Sequence, residues 1–249
     1  NIAVVNSLAA EEQISFRKKA FPIGWLSHSQ FLKKVNDFDI VRSRTRNQYK
    51  INNGEVAILF CKINIGNIKD ELIHFKCLLA AINLITVKIR LFIKFHPRDG
   101  IQEKNAYLEC AKNSNYVIDI IDDSSDYFET IVFSDIIIST CSAMNIDVLA
   151  CEAMYMNRNI NIKEPFIQSI YMYDDTTKMI FNRSFGKEII PTHYNNSGSF
   201  IANNSNLACI IKMIIKKQID ANKIINDILN NYLFSESNID RFISYLEMP

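Results

Sequence analysis

Glycine and proline are scarce in this chain, at 6 and 5 of 249 residues, which excludes collagen-like and linker-rich architectures. The six cysteines (Cys61, Cys77, Cys110, Cys141, Cys151, Cys209) contain no C-x-x-C pair, so neither a zinc site nor a redox motif has its usual spacing. Their apolar settings, as in Leu59-Phe60-Cys61, read as small buried hydrophobes in a reducing compartment. Neither sign of charge prevails. Lys+Arg number 28 against 27 Asp+Glu, a net charge of +1, and nucleic-acid binding loses its usual electrostatic support. No apolar run reaches the roughly 20 residues of a membrane span; Leu78 to Val87 ends at Lys88 and Arg90. With no basic-then-apolar leader at the front, a cytoplasmic location is expected.

What is present is a regular alternation. From Val56 onward, short apolar runs alternate with amphipathic stretches, the signature of βαβ units and a parallel sheet. Strands are predicted at Val56–Phe60, Ile89–Phe95, Val117–Ile121, Asp135–Ile138 and Asn159–Ile162. Helices are predicted at about Lys69–Ile85, Gln102–Lys112, Asp126–Phe133 and Ala143–Met154. Asp126 with Glu129 three residues on has the form of a capping box. Two apolar stripes follow, Leu207, Ile210, Ile211, Ile214, Ile215 and then Ile224, Ile225, Ile228, Leu229, Tyr232, each on one helical face. A last short helix is predicted between Asn238 and Leu246. The fold class is α/β, a Rossmann-like open parallel sheet with helices on both faces. Ile2-Ala3-Val4-Val5 reads as a strand already under way, so a piece of a longer protein is expected.

In such sheets ligands bind beyond the carboxyl ends of the strands, and polar loops are expected to converge there. Lys94-Phe95-His96-Pro97-Arg98 offers a histidine whose following backbone is restrained by proline, with Arg98 and Lys94 as cations; the alternative is a solvated turn. Ser139-Thr140-Cys141-Ser142 presents hydroxyls and N–H groups before a helix, either as an anion site or as a plain cap. Together the two loops favour a phosphate site. Asp122-Asp123 suits the two hydroxyls of a ribose, or a solvated turn. Asn64, Gly66 and Asn67 lie in a further loop at this edge, where Gly66 permits close approach of a donor. The loop is no G-x-G-x-x-G or Walker pattern, so dinucleotide and ATP binding lose their main support. His74, mid-helix, reads as structural, and Trp25 as packing. His28 and His193 lie where no chemistry is demanded of them. No His/carboxylate cluster has metal-ligand spacing.

Lys94-Phe95-His96-Pro97-Arg98, followed by Ser134-Asp135-Ile136-Ile137-Ile138-Ser139-Thr140-Cys141-Ser142-Ala143, resembles the C-terminal nucleotide-binding half of bacterial GT-B glycosyltransferases. The likeness is to the CMP-sialic acid-dependent lipooligosaccharide sialyltransferases and polysialyltransferases, with CDP-glycerol glycerophosphotransferases of teichoic acid synthesis sharing a similar ending. It covers roughly residues 55–165. The resemblance implies an inverting, metal-independent transfer from a CMP-linked donor to a glycan or glycolipid acceptor in lipopolysaccharide or capsule synthesis, with no cofactor. It implies His96 as the catalytic group at the donor phosphate, and Pro97, Arg98, Ser139, Thr140 and Ser142 around that phosphate. Asp122 or Asp123 would sit at the ribose. Residues 1–52 would be a remnant of the acceptor domain with its connection, 53–234 the nucleotide-sugar domain, and 235–249 a C-terminal helix.

The pattern departs at the general base. In those sialyltransferases it is a carboxylate of a D/E-D/E-G motif in the N-terminal domain, and the single Asp-Gly here, Asp99-Gly100, directly follows the His-Pro pair. A CDP-polyol or UDP-sugar donor, or a non-catalytic binding module, remains an alternative. Lys212, Lys216 and Lys217 beside an Ile-rich face leave open peripheral association with the inner membrane, against a core helix with a solvated side. A homo-oligomer is also open.

Overall fold

The computed structural model describes residues 2–4, 20–22, 29–62, 68–114, 116–121, 125–140, 144–159, 162–185 and 197–232. Two short strands, β1 (Ile2–Val4) and β2 (Ala20–Pro22), pair in parallel. Helices α1 (Ser29–Lys34) and α2 (Phe38–Gln48), joined by a 3-10 turn, lead into the main sheet. That sheet comprises β3 (Val56–Cys61), β4 (Ile89–Lys94), β5 (Ile118–Ile121), β6 (Ile136–Ser139), β7 (Gln168–Met172) and β8 (Phe200–Ala202). The intervening helices are α3 (Ile68–Ile82), α4 (Ile101–Asn113), α5 (Tyr127–Val132), α6 (Met144–Arg158) and α7 (Asp175–Phe185). Helices α8 (Leu207–Ile215) and α9 (Ala221–Tyr232) complete the order.

All six strands are parallel, in the order β5-β4-β3-β6-β7-β8. The order reverses direction between β3 and β6, which makes a switch point, the place in such sheets where ligands bind beyond the carboxyl ends. Side-chain alternation assigns the two faces. Ala57, Leu59, Cys61, Phe92 and Ile137 pack with Phe31, Phe38, Phe128 and Val148, from α1, α2, α5 and α6. Ile58, Phe60, Leu91, Ile93, Ile136 and Ile138 pack with Phe75, Leu79, Tyr107 and Ile211, from α3, α4 and α8. Both faces are thus dry, which explains why these strands are nearly all apolar.

Two sequence expectations need correction. The last sheet strand does not lie at Asn159–Ile162. Residues 160–161 are outside the described set, Asn159 caps α6 through its amide on the Tyr155 carbonyl, and the Ile162 N–H bonds the Asn159 carbonyl as a turn. The remaining strands are β7 and β8. Gln168 and Ser169 interrupt the apolar pattern of β7, and β8 has three residues, too few for periodicity to register. The capping box at α5 is half formed. Asp126 accepts from the Phe128 and Glu129 N–H groups (3.0 and 3.2 Å), while Glu129 turns away to pair with Arg44 of α2.

Both apolar stripes form the helices expected of them: Leu207, Ile211 and Ile214 of α8, and Ile224, Ile228 and Tyr232 of α9, are buried. The isoleucine face of α8 therefore belongs to the core, and Lys212 and Lys216 lie on its solvated side. Gly198, with φ +93°, lets β8 approach α9, since a Cβ there would meet Ile228 at 2.4 Å. No helix among the described residues is long and apolar enough to cross a membrane. Of the cysteines, Cys61 and Cys151 are buried, Cys77 and Cys110 partly so, and Cys209 is exposed, a departure from the buried reading. The predicted helix at 238–246 is outside the described residues.

At the amino edge of the sheet, Asp135 gathers the strand starts to α2. It binds Arg42 (2.5 Å) and Arg46 (3.0 Å) and accepts from the Ala57 N–H at 2.7 Å. Nearby, Glu152 of α6 is fully buried and accepts from the Phe166 and Ile167 N–H groups. Burial pushes its carboxyl up to about 7, against the opposing pull of those N–H groups and Arg42. A carboxyl raised in the fold stays protonated while the unfolded chain ionises. Its contribution is therefore full below the ordinary Glu range and is lost as pH rises from about 4.5 to 7. Glu152→Gln cannot ionise but keeps only one of the two acceptor oxygens, so the informative quantity is its stability relative to the wild type as a function of pH. From pH 4.5 to pH 8 the wild type is expected to lose up to ~3 kcal/mol relative to the variant, measured by urea unfolding across that range.

Candidate functional site

Strand register places the loops singled out from the sequence along one line. Ile121, Lys94, Cys61, Ser139 and Tyr171 pair in succession across the sheet, as one row. The chain leaves the sheet from this row at Lys62, His96 and Thr140, with Asp174 three residues beyond Tyr171. Ser142, Asp122, Asp123, Asn64, Gly66 and Asn67 lie outside the described residues, as do His28 and His193. Strand β5, which Asp122 follows, is the edge strand, two places from β3.

The His-Pro turn is anchored by a group that sequence reading set aside. Asp99 is buried, and its carboxylate accepts from the His96 N–H (2.8 Å) and from Lys62 Nζ (2.6 Å). The Lys62 and Asp99 side chains are 1% and 0% exposed, so a full ion pair is buried where β3 ends. The Lys62 N–H also bonds the Lys94 carbonyl at 3.0 Å. The turn is thereby tied to β3, which borders the switch point. His96 itself is half-buried, and Pro97 and Arg98 are exposed. The Arg98 N–H donates to His96 Nδ1 at 3.2 Å, so a neutral ring carries its proton on Nε2. The histidine thus offers a donor on Nε2, the nitrogen not held by its own turn.

The Ser/Thr loop departs from the simplest expectation. Ser139 and Thr140 are both buried, and their hydroxyls are engaged within the protein. Ser139 donates to Asn145 Oδ1, and Asn145 in turn donates to Ser169 Oγ (2.5 Å) and the Ile170 carbonyl (3.1 Å). This locks β6, α6 and β7 together. Thr140 Oγ1 meets His74 Nδ1 at 2.8 Å, and His74 Nε2 meets Asp174 Oδ1 at 2.9 Å. Asp174 also accepts from the Thr177 N–H at the start of α7 (3.0 Å). His74 donates to its carboxylate and holds it below the usual range although burial opposes this. His74 is therefore structural in its burial, as its mid-helix position suggests, yet it stands at the carboxyl edge of the sheet.

Sequence reading missed Lys62, Asp99, Asn145 and Asp174. Asp99 three residues after His96 has the spacing of a side chain bonding back to a turn N–H, and Asp174 that of a helix cap. Lys62 and Asn145 carry no such signal.

A cavity of about 310 Å³ lies instead at the opposite edge, among Arg42, Val56, Asp135, Phe166, Gln168 and Lys217. Arg42 is paired to Asp135 and Lys217 to Glu164, so its main cations are already neutralised.

This architecture defines a Rossmann-like α/β fold of the kind found in GT-B glycosyltransferases. A glycosyltransferase from Rickettsia africae ESF-5 superimposes with TM-score 0.62 at 16% identity, over 99% of this chain and 63% of that one. Wall teichoic acid polymerase TagF soaked with CDPG gives 0.57 at 16%, over 98% and 55%. A UDP-forming trehalose-phosphate synthase from Burkholderia xenovorans gives 0.55 at 12%, over 92% and 52%. At these identities the likeness is one of fold, and the chain spans about half to two thirds of those proteins' lengths. No protein-family model and no curated sequence matches the chain.

Asp99→Asn would leave the Lys62 ammonium buried without its counter-charge, a loss of about 3–5 kcal/mol. Lys62→Met combined with Asp99→Asn should recover much of that stability, because no unpaired charge remains. A double-mutant cycle by denaturant unfolding measures the coupling.

Proposed function

We propose that the chain is the nucleotide-binding half of a GT-B glycosyltransferase, in which the crevice between β3 and β6 receives the donor's phosphate. The observation that carries this reading is the His96 turn. Asp99 fixes its backbone and the Arg98 N–H occupies Nδ1, which leaves Nε2–H as an oriented donor at the carboxyl edge of β4. An N–H held in place before charge develops on a departing phosphate needs no reorganisation when the bond breaks, the condition for electrostatic stabilisation of a leaving group. Arg98, on the exposed side of the turn, adds positive charge for the anion.

The reaction on this reading is a direct displacement. An acceptor hydroxyl, deprotonated by a general base, attacks the anomeric carbon, and the nucleotide leaves with its phosphate held by His96. The base is supplied from outside the residues described here. Asp122 and Asp123 are assigned to the ribose, Asn64, Gly66 and Asn67 to the donor, and Ser142 with Ser139 and Thr140 to the phosphate loop. Without ligand, the hydroxyls of Ser139 and Thr140 are engaged by Asn145 and His74. The proposed unit is residues 53–234. Helices α1 and α2 and the 3-10 turn between them pack on its sheet through Phe31, Phe38 and Val35.

The donor we favour is CMP-sialate, from the His-Pro and Ser/Thr motif order, with a cell-surface glycan or glycolipid as acceptor. A CDP-linked polyol is the second reading, favoured by the fold likeness to TagF soaked with CDPG. Isothermal titration with CMP, CDP, UMP and UDP separates them. Selective CMP binding supports the first reading and selective CDP binding the second. His96→Ala is expected to weaken binding of the preferred nucleotide about tenfold or more, the cost of one charge-assisted hydrogen bond. Unchanged affinity in that variant would remove His96 from the site.

A further inference from the structure

The chain Thr140–His74–Asp174 is more than the packing of a buried histidine requires. It joins the end of β6, helix α3 and the end of β7, and it terminates in a hydroxyl at the head of the loop assigned to the phosphate. A threonine hydroxyl has one proton. When His74 is neutral and Nε2–H donates to Asp174, Nδ1 holds a lone pair and Thr140 spends its proton on it. The hydroxyl then has only lone pairs left for a ligand, and these repel phosphate oxygens. A second ring proton, on Nδ1, reverses that bond. Nδ1–H donates to Thr140 Oγ1, and the hydroxyl proton is released to another acceptor.

We propose that this chain is a proton-linked donor for the ligand phosphate, with Thr140 donating to a phosphate oxygen when His74 takes up a proton from solvent. The inference rests on the assignment of this edge as a nucleotide site. Two features of the surroundings favour a protonated ring in the complex. Asp174 Oδ1 is held by His74 and Thr177, while its buried Oδ2 has no hydrogen-bond partner, so a buried carboxylate charge awaits compensation. On α7, one turn from Asp174, Lys178 pairs with Asp175 at 2.8 Å, and the side chains packed against α3 are largely apolar. Helix α4 faces α3 with Tyr107 and Ala111, and α8 with Leu207, Ile211 and Ile214. On α3 itself the near group is Cys77, whose thiol is pushed up by burial and by Asp174. His74 is thus a positioning residue that acts through Thr140.

The test uses the full chain labelled with 15N-histidine, with CMP and CDP as probes at a fixed pH near 7.5. Saturation should move the His74 ring nitrogens from the split signals of a neutral ring to the converged signals of an imidazolium. Affinity should fall with pH more steeply in the wild type and in Thr140→Ser, which keeps the hydroxyl, than in Thr140→Val. The difference approaches tenfold per pH unit, the limit for one linked proton, and contributions from His96 and the nucleotide are common to all three proteins. His74 remaining neutral in a complex that shifts the His96 signals overturns this inference alone. If neither histidine responds to either nucleotide, the site assignment falls and takes the inference with it. Should Thr140→Val fail to fold, the wild-type spectrum still decides.

Discussion

The central strands of this parallel sheet, β3, β4 and β6, are covered on both faces and carry polar chemistry only near their ends, and the placement of the polar groups follows from that constraint. Crossover connections bring helices onto each face, so strand side chains such as Leu59, Phe92 and Ile137 on one side, and Ile58, Leu91 and Ile138 on the other, must be apolar. Polar residues are then displaced to the two edges of the sheet. The amino edge is closed by the Asp135 cluster with Arg42 and Arg46, and the carboxyl edge retains His96, Asp99, Thr140 and Asp174.

The two edges meet the cost of burying charge in different ways. At the amino edge the charges pair with one another and with helix-end and loop carbonyls, and the result is a fastening. At the carboxyl edge the Lys62–Asp99 pair is buried as well, and it also orients the turn that carries His96. By accepting from the His96 N–H, Asp99 gives a short turn the rigidity of the strand beside it. A binding group supported in this way loses little entropy when a ligand arrives. His74 and Asn145 perform the same service for the end of β6, one with a group that can change its proton count and the other with one that cannot.

Fold likeness and motif likeness point the same way from independent starting points. The first rests on strand order and crossovers, the second on two short runs of residues at strand ends. Their agreement concerns architecture alone. Donor identity depends on contacts to base and sugar, and a likeness of fold does not reach that level of detail.

Strong periodicity made most of the fold legible in the sequence. Runs such as Val56–Phe60 and Ile136–Ile138 admit few readings other than buried parallel strands, and the α8 and α9 stripes admit few other than amphipathic helices. The His-Pro and Ser/Thr loops were likewise visible, because chain direction alone puts them after strands. Strand β7 escaped because Gln168 and Ser169 are polar for reasons that lie elsewhere in the chain: Ser169 answers Asn145 and Ser199. Only the tertiary structure could decide what each polar side chain does. The partners Lys62–Asp99 and Thr140–His74–Asp174 are 37, 66 and 100 residues apart, and a hydrogen bond acts over about 3 Å. Local sequence determines which segments become strands and helices, because neighbours along the chain set the pattern of burial; the strand order alone brings distant polar groups within that reach.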